Sequence, residues 1–186
     1  MPGERTYKEV TRDGPTTVIF STSITKGLPF TDFNEKVNGK VDFRRFHGHK
    51  AKHIKEYVWT HLEELSPSQA IIQMGGNDLP TPRDKPVPVV DIANHIIQTG
   101  VICRNYGVKK VCIGGVTLRK QQYTHHRRRE LNNHLRSLCK LHKFVYINND
   151  DIGLEHLYDG THLTDEGSNI LCDNYTYVLN NVAVPT

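Results

Sequence analysis

Ser23 stands where a short apolar run, VIF, gives way to the polar segment STSITKG. A serine in that position is either a nucleophile presented at the end of a strand or the cap of a following helix. It can act as a nucleophile only if the chain also supplies a base, an acid that orients the base, and donors for an oxyanion. Three other polar segments contain suitable residue types: 47–49 (His-Gly-His), 75–78 (Gly-Gly-Asn-Asp) and 159–162 (Asp-Gly-Thr-His).

Short apolar runs alternate with helical patterns along the chain. The predicted strands are 16–20, 41–46, 69–74, 109–116 and 144–147. Between them, apolar residues recur at helical spacing, as in Ile54, Val58 and Leu62. Segment 79–88 holds four prolines and is predicted to be a loop. Buried strands joined by helical crossovers form a parallel sheet covered on both faces, so the pattern predicts a three-layer α/β/α sandwich around five parallel strands.

The polar segments occupy equivalent places in this predicted sheet. They follow the first, second, third and fifth strands, beginning with residues 21–23. Ligands bind parallel α/β sheets beyond the carboxyl ends of the strands, which all lie at one edge. We therefore expect the four segments to meet there.

This combination resembles the SGNH (GDSL-type) hydrolases, a family named for a serine, a glycine, an asparagine and a histidine in this order. QMGGNDLP fits the Gly-x-Asn-Asp block of the family, and DGTHLTDEG fits its Asp-x-x-His block. FHGHKAKHI is a looser fit to the glycine block. The match extends over residues 18–171 and implies a flavodoxin-like strand order.

The resemblance also implies a function, that of a serine esterase or deacylase that hydrolyses a small acyl ester such as an acetyl ester. Ser23 would form the acyl intermediate, His162 would be the base and Asp159 would orient it. The oxyanion would be bound by the backbone N–H groups of Ser23 and Gly48 and by the side chain of Asn77. No metal or cofactor is implied.

Two blocks depart from the family pattern. The first normally reads Gly-Asp-Ser, whereas this chain has Ser21 and Thr22 before the nucleophile. The second has His49 and Lys50 where small or hydroxyl residues are usual. These changes leave open a second prediction, a weak or inactive module that binds without turnover.

Each candidate residue also has an ordinary structural interpretation. Ser23 is a plausible helix cap, and Asn77 follows two glycines in what reads as a turn. Asp159 begins a common turn dipeptide, and His162 is one of eleven histidines. Four unrelated turns would have to imitate one active site in register, so the hydrolase interpretation is favoured.

Two further clusters contain residue types that can bind anions or metals. Arg127 and Arg128 belong to the run HHRRRE and are candidates for contact with an anionic substrate or with nucleic acid, although no interleaved aromatic residues support base stacking. His47, His49 and His53 lie close together, but no further metal ligand is apparent nearby, which disfavours a zinc site.

Composition places the chain among globular proteins. It has 186 residues, 37% of them hydrophobic and 24% charged, and a formal net charge of +4, which permits an acidic partner without requiring one. One domain over residues 16–183 is predicted after a polar lead-in, residues 1–15. The lead-in has no apolar signal region and no apolar run approaches about 20 residues, so the prediction is an intracellular protein without membrane contact. The four cysteines are widely spaced and are predicted to be reduced core thiols.

Overall fold

The computed structural model describes residues 15–82 and 84–186, and five parallel strands form its centre. The strands are β1 (Thr16–Ser21), β2 (Lys40–Arg45), β3 (Gln69–Gln73), β4 (Lys110–Gly114) and β5 (Val145–Ile147). The helices are α1 (Phe30–Lys36), α2 (Ala51–Leu65), α3 (Val89–Asn105), α4 (Thr124–His142) and α5 (Asp165–Asn181). Short 3₁₀ turns cover Ser23–Thr25, Gly76–Asp78 and Leu154–His156.

The strand order is β2-β1-β3-β4-β5, and every neighbouring pair is parallel. This is the flavodoxin-like order, so the predicted fold class is confirmed. The order reverses direction at β1, which places the ends of β1 and β3 side by side at a position where such sheets bind ligands.

Successive side chains of β1 pack on opposite faces of the sheet. Val18 and Phe20 of β1 pack in one buried cluster with α2, α3 and α4. Ile19 packs in a second cluster with α1 and α5. Since neighbouring residues of a strand point to opposite faces, a continuous apolar run is what a sheet covered on both sides requires.

The predicted boundaries differ from the structure mainly around β4. The sequence pattern predicts a strand up to residue 116, but β4 ends at Gly114. The side chain of Gln73 lies over this glycine, and a Cβ there would sit 1.9 Å from Gln73 Oε1. A side chain at position 114 would collide with Gln73, so a glycine is needed where β4 ends. The described residues of segment 79–88 contain no helix or strand, as predicted.

The remaining predictions about the chain concern its thiols and its ends. All four cysteines are buried and unpaired, in agreement with reduced core thiols. Within residues 15–82 and 84–186, none of the helices combines the length and apolar character that a membrane crossing needs. The polar lead-in predicted for residues 1–15 lies, apart from Pro15, outside the described residues.

Candidate active site

Ser23 begins the 3₁₀ turn that follows β1, so its side chain is presented at the carboxyl edge of the sheet. Inside the turn, the hydroxyl groups of Ser21 and Thr25 are 2.7 Å apart. Arg45, the last residue of the neighbouring β2, donates from Nε to Thr25 Oγ1 (3.0 Å) and from Nη2 to the Thr25 carbonyl (3.2 Å). The turn that carries the serine is therefore fixed by an arginine from the adjacent strand.

A chain of hydrogen bonds joins Ser23, His162 and Asp159. His162 Nε2 lies 3.0 Å from Ser23 Oγ, and His162 Nδ1 lies 2.6 Å from Asp159 Oδ2. The carboxylate on Nδ1 favours the tautomer that carries its proton there, which leaves Nε2 to accept the serine hydroxyl proton. The hydrogen bond from the His162 side chain, with that from its backbone N–H, holds the pKa of Asp159 well below its ordinary value of 3.8.

The loop that carries this pair is built from local contacts. Asp159 Oδ1 accepts hydrogen bonds from the backbone N–H groups of Thr161 (2.9 Å) and His162 (2.7 Å). Gly160 has φ +82°, a conformation that favours glycine. Thr164 follows as the N-cap of α5, and its hydroxyl accepts from the Gly167 N–H (3.1 Å). The segment from Asp159 to His162 is therefore held by hydrogen bonds among its own residues, and it ends just before α5 begins.

Asn77 reaches the same edge from the turn after β3. Gly75 has φ +110°, and a Cβ at this position would lie 3.1 Å from the side chains of Ile96 and Val116, so the turn requires glycine. Asn77 Nδ2 donates to the His49 carbonyl at 3.1 Å. This contact places the asparagine next to Gly48.

Two backbone N–H groups at this edge of the sheet remain available to a ligand. In the described part of the chain, the N–H groups of Ser23 and Gly48 donate to no other protein group. Gly48 has φ +72° and lies in an exposed turn. Together with Asn77 Nδ2, they are donors of the kind that bind an oxyanion.

Asp78 connects two of the predicted segments. It is buried, and its Oδ2 accepts a hydrogen bond from the Ala51 N–H (3.1 Å) at the first turn of α2. Burial raises the pKa of Asp78, and the Ala51 N–H acts in the opposite direction. This hydrogen bond holds the turn that contains Asn77 against the start of α2, close to residues 47–49.

Two cavities of different size meet at Ser23. The smaller cavity has a volume of about 20 Å³, measured as the space available to the centre of a water-sized sphere. Met74, Val116 and Arg119 contribute to its walls. The larger provides about 440 Å³ by the same measure, and its walls include Tyr158, whose ring stacks on His162 with centroids 6.0 Å apart. The serine therefore separates a narrow space from a wide, open one.

The arginine run lies apart from these cavities. Arg127 donates to the carbonyls of Leu79 (3.0 Å) and Val87 (2.8 Å), which holds the proline-rich loop. Arg128 donates to the Val116 carbonyl (2.8 Å) and pairs with Asp150 (2.7 Å). Neither side chain lines a cavity at Ser23. Contact with an anionic substrate or with nucleic acid stays a prediction.

The histidines of the glycine segment also lie outside any metal cluster. Over residues 15–82 and 84–186, no three His, Cys, Asp or Glu side chains are grouped in a way that could hold a metal ion. His49 Nδ1 instead lies 2.9 Å from the carbonyl of His47.

Two site residues were missed by the sequence reasoning, Arg45 and Arg119. Arg45 contacts the turn that begins at Ser23 only because β2 is the neighbour of β1. Arg119 donates from Nη2 to Asn77 Oδ1 at 2.7 Å, across 42 positions of sequence. No local pattern identifies either contact, since both depend on strand order and on the path of a loop.

Comparison with solved structures identifies the fold. A GDSL-like lipase from Bacteroides thetaiotaomicron superposes with a TM-score of 0.79 at 18% identity, over 91% of this chain and 89% of that one. A lipase/acylhydrolase from Enterococcus faecalis gives 0.74 at 16% identity, over 92% and 99%. A catalytic mutant of an acetylxylan esterase from Geobacillus stearothermophilus gives 0.74 at 12% identity, over 91% and 96%. No protein-family model and no curated protein sequence matches the chain. The chain has the fold of the GDSL-like lipases and acylhydrolases, as its sequence resemblance predicts.

Proposed function

We propose that the protein is a serine esterase or deacylase that hydrolyses a small acyl ester through an acyl-Ser23 intermediate. The observation that carries this proposal is the chain of hydrogen bonds from Ser23 through His162 to Asp159, 3.0 and 2.6 Å long. Its position at the carboxyl edge of a parallel sheet, where α/β folds bind ligands, supports the same conclusion.

In the proposed reaction, Ser23 Oγ attacks the ester carbonyl carbon and its proton passes to His162 Nε2. The oxyanion of the tetrahedral intermediate accepts hydrogen bonds from the N–H groups of Ser23 and Gly48 and from Asn77 Nδ2. Collapse breaks the ester bond, and the leaving alcohol takes the proton from His162. Water then attacks the acyl-serine with His162 as base, which releases the acid and restores the serine hydroxyl. Asp159 stabilises the imidazolium in both steps.

The two cavities suggest how a substrate lies in the site. A short acyl group, such as acetyl, suits the narrow cavity of about 20 Å³. The alcohol part has the larger cavity of about 440 Å³, which opens beside Tyr158. An acetylxylan esterase among the structures with this fold supports acetyl esters as the first substrates to try.

The test is labelling of the purified protein with a fluorophosphonate, with the modified residue located by mass spectrometry. We expect the label on Ser23, and we expect Ser23→Ala and His162→Ala to abolish both labelling and hydrolysis of p-nitrophenyl acetate. Ser137→Ala, at an exposed position of α4, is the matched control and should react like the wild type. A folded wild-type protein that neither labels nor hydrolyses the ester would contradict the proposal and favour a binding module.

A further inference from the structure

Arg119 lies between β4 and α4, and it lines the small cavity together with Ser23. Its Nη2 donates to Asn77 Oδ1 at 2.7 Å, on the side of the carboxamide opposite to the His49 carbonyl. We infer that Arg119 is a positioning residue of the oxyanion site, which fixes the Asn77 carboxamide with Nδ2 directed toward the reacting carbonyl oxygen. This inference rests on the proposed function.

The orientation follows from which groups can donate. A guanidinium has only N–H donors, so the end of the carboxamide that faces Arg119 must be its oxygen. The opposite end is the NH₂ group, which has two hydrogens. One of them is used by the His49 carbonyl at 3.1 Å, and the second remains for a substrate oxyanion. Rotation of the carboxamide by 180° would place its oxygen against the His49 carbonyl and its NH₂ group against the guanidinium, which removes both hydrogen bonds.

The charge of Arg119 adds to this geometry. Among the described residues no carboxylate forms an ion pair with Arg119, and the carboxylates of Asp78 and Asp159 accept hydrogen bonds from the Ala51 N–H and from His162. Burial lowers the pKa of Arg119, but an arginine side chain stays protonated in proteins. A cation bound to Asn77 Oδ1 polarises the amide and makes its N–H a stronger donor.

The segment that carries Arg119 is held by hydrogen bonds to α4 and to the loop that contains Asp159. The Arg119 carbonyl lies 2.7 Å from His125 Nε2 at the start of α4. The next residue, Lys120, donates from its backbone N–H to the Gly160 carbonyl (2.9 Å), beside Asp159. Residues 119 and 120 therefore connect the asparagine turn to the loop of the base.

A rival use of the same guanidinium is direct recognition of a negatively charged acyl group. The two uses differ in what they change. Positioning acts through Asn77 and lowers kcat for a neutral substrate. Recognition acts on the substrate and raises KM for anionic acyl esters alone.

The kinetic test compares Arg119→Met, Arg119→Lys, Asn77→Ala and the Asn77→Ala/Arg119→Met double variant on neutral p-nitrophenyl acetate. Loss of one oxyanion donor typically lowers kcat by about 10²–10³-fold, and we expect Arg119→Met to lower kcat by about 10–100-fold with KM within about threefold. Arg119→Lys, which keeps the charge and a donor, should recover part of the loss. In the Asn77→Ala background, Arg119→Met should cost less than about threefold, because the group it positions is absent.

Equal fold-losses of kcat from Arg119→Met with and without Asn77 would overturn the inference. So would an effect limited to KM for a hemisuccinate ester, which would assign the guanidinium to substrate recognition. Thermal unfolding of each variant confirms that it is folded before its kinetics are interpreted.

A second readout does not depend on turnover. The side-chain NH₂ signal of Asn77 in a ¹⁵N correlation spectrum is identified by its loss in Asn77→Ala. We expect one sharp pair of resonances in the wild type, and a shifted or broadened pair in Arg119→Met. An unchanged signal would overturn the inference whatever the activity. If the wild type proves inert, the proposed function fails, and this signal alone decides whether Arg119 fixes the carboxamide.

Discussion

The contacts of the Asp159 side chain account for how His162 is held. The carboxylate accepts three hydrogen bonds, one from the imidazole and two from backbone N–H groups, although its side chain is 41% exposed. These contacts stabilise the charged form and keep the pKa of Asp159 below 3.8. The same contacts therefore support both the orientation of His162 and the stability of the loop.

Asp159→Asn should affect activity and stability in different ways. The amide cannot hold the same tautomer of His162, so we expect kcat on p-nitrophenyl acetate to fall by about 10²–10⁴-fold. A carboxylate whose pKa is depressed on folding contributes stability above its unfolded pKa and loses that contribution as the pH falls. The difference in unfolding free energy between wild type and variant should therefore be largest above about pH 5 and shrink below about pH 4. Urea unfolding across this range measures it, with Asp84→Asn at an exposed loop position as control. A difference that grows on acidification would contradict this account.

At the scale of elements, the ends of the strands are tied together by a buried polar network below the site. Gln73, the last residue of β3, donates from Nε2 to the Gly115 carbonyl just after β4 (3.0 Å). Its Oε1 accepts from Tyr175 of α5 (2.8 Å) and from Asn149 after β5 (3.2 Å). One side chain thus links β3, β4, β5 and α5 directly beneath the loops that carry the candidate triad.

Gln73→Met keeps the length of the side chain and removes its hydrogen bonds. The fully buried Tyr175 hydroxyl would lose its partner, and an orphaned buried group costs about 1–3 kcal/mol of unfolding free energy. Adding Tyr175→Phe should recover part of that loss, because it removes the orphaned hydroxyl. Gln122→Met, at an exposed position, is the control and should stay within about 0.5 kcal/mol of wild type. Equal urea midpoints for wild type and Gln73→Met would show that the network adds no stability.

Features that depend on neighbouring residues could be predicted from the sequence, whereas contacts between distant segments could not. The Asp159–His162 spacing and the two glycines before Asn77 are local patterns, so their turns could be predicted from neighbouring residues. The apolar runs predicted the five strands for a similar reason, since burial on both faces leaves a continuous signature. Arg45, Gln73 and Arg119 act across distant segments, and no short pattern marks them. They required the strand order and the path of the loop after β4.

At the scale of the whole molecule, the site lies where the strand order reverses, and the loops from both sides of that position shape its two cavities. The narrow cavity is bounded by the end of β3 and the segment after β4, with Met74 and Val116 both nearly fully buried. The wide cavity is bounded by the turn that begins at Ser23 and by the loop before α5. Because the two cavities differ so much in size, the proposed orientation of an ester across Ser23 can be tested by varying the acyl chain.

If the acyl group occupies the narrow cavity, kcat/KM should fall at least about tenfold from p-nitrophenyl acetate to octanoate, because extra methylenes force buried side chains out of their positions. Val116→Ala removes part of that wall and should raise the butyrate-to-acetate ratio of kcat/KM by about 10-fold, the lower end of the discrimination that one methylene gives in an apolar pocket. Val184→Ala, at an exposed position after α5, should leave the ratio unchanged. A preference for octanoate in the wild type would instead place the acyl chain in the wide cavity beside Tyr158 and the alcohol on the side of Arg119, which reverses the proposed orientation of the substrate.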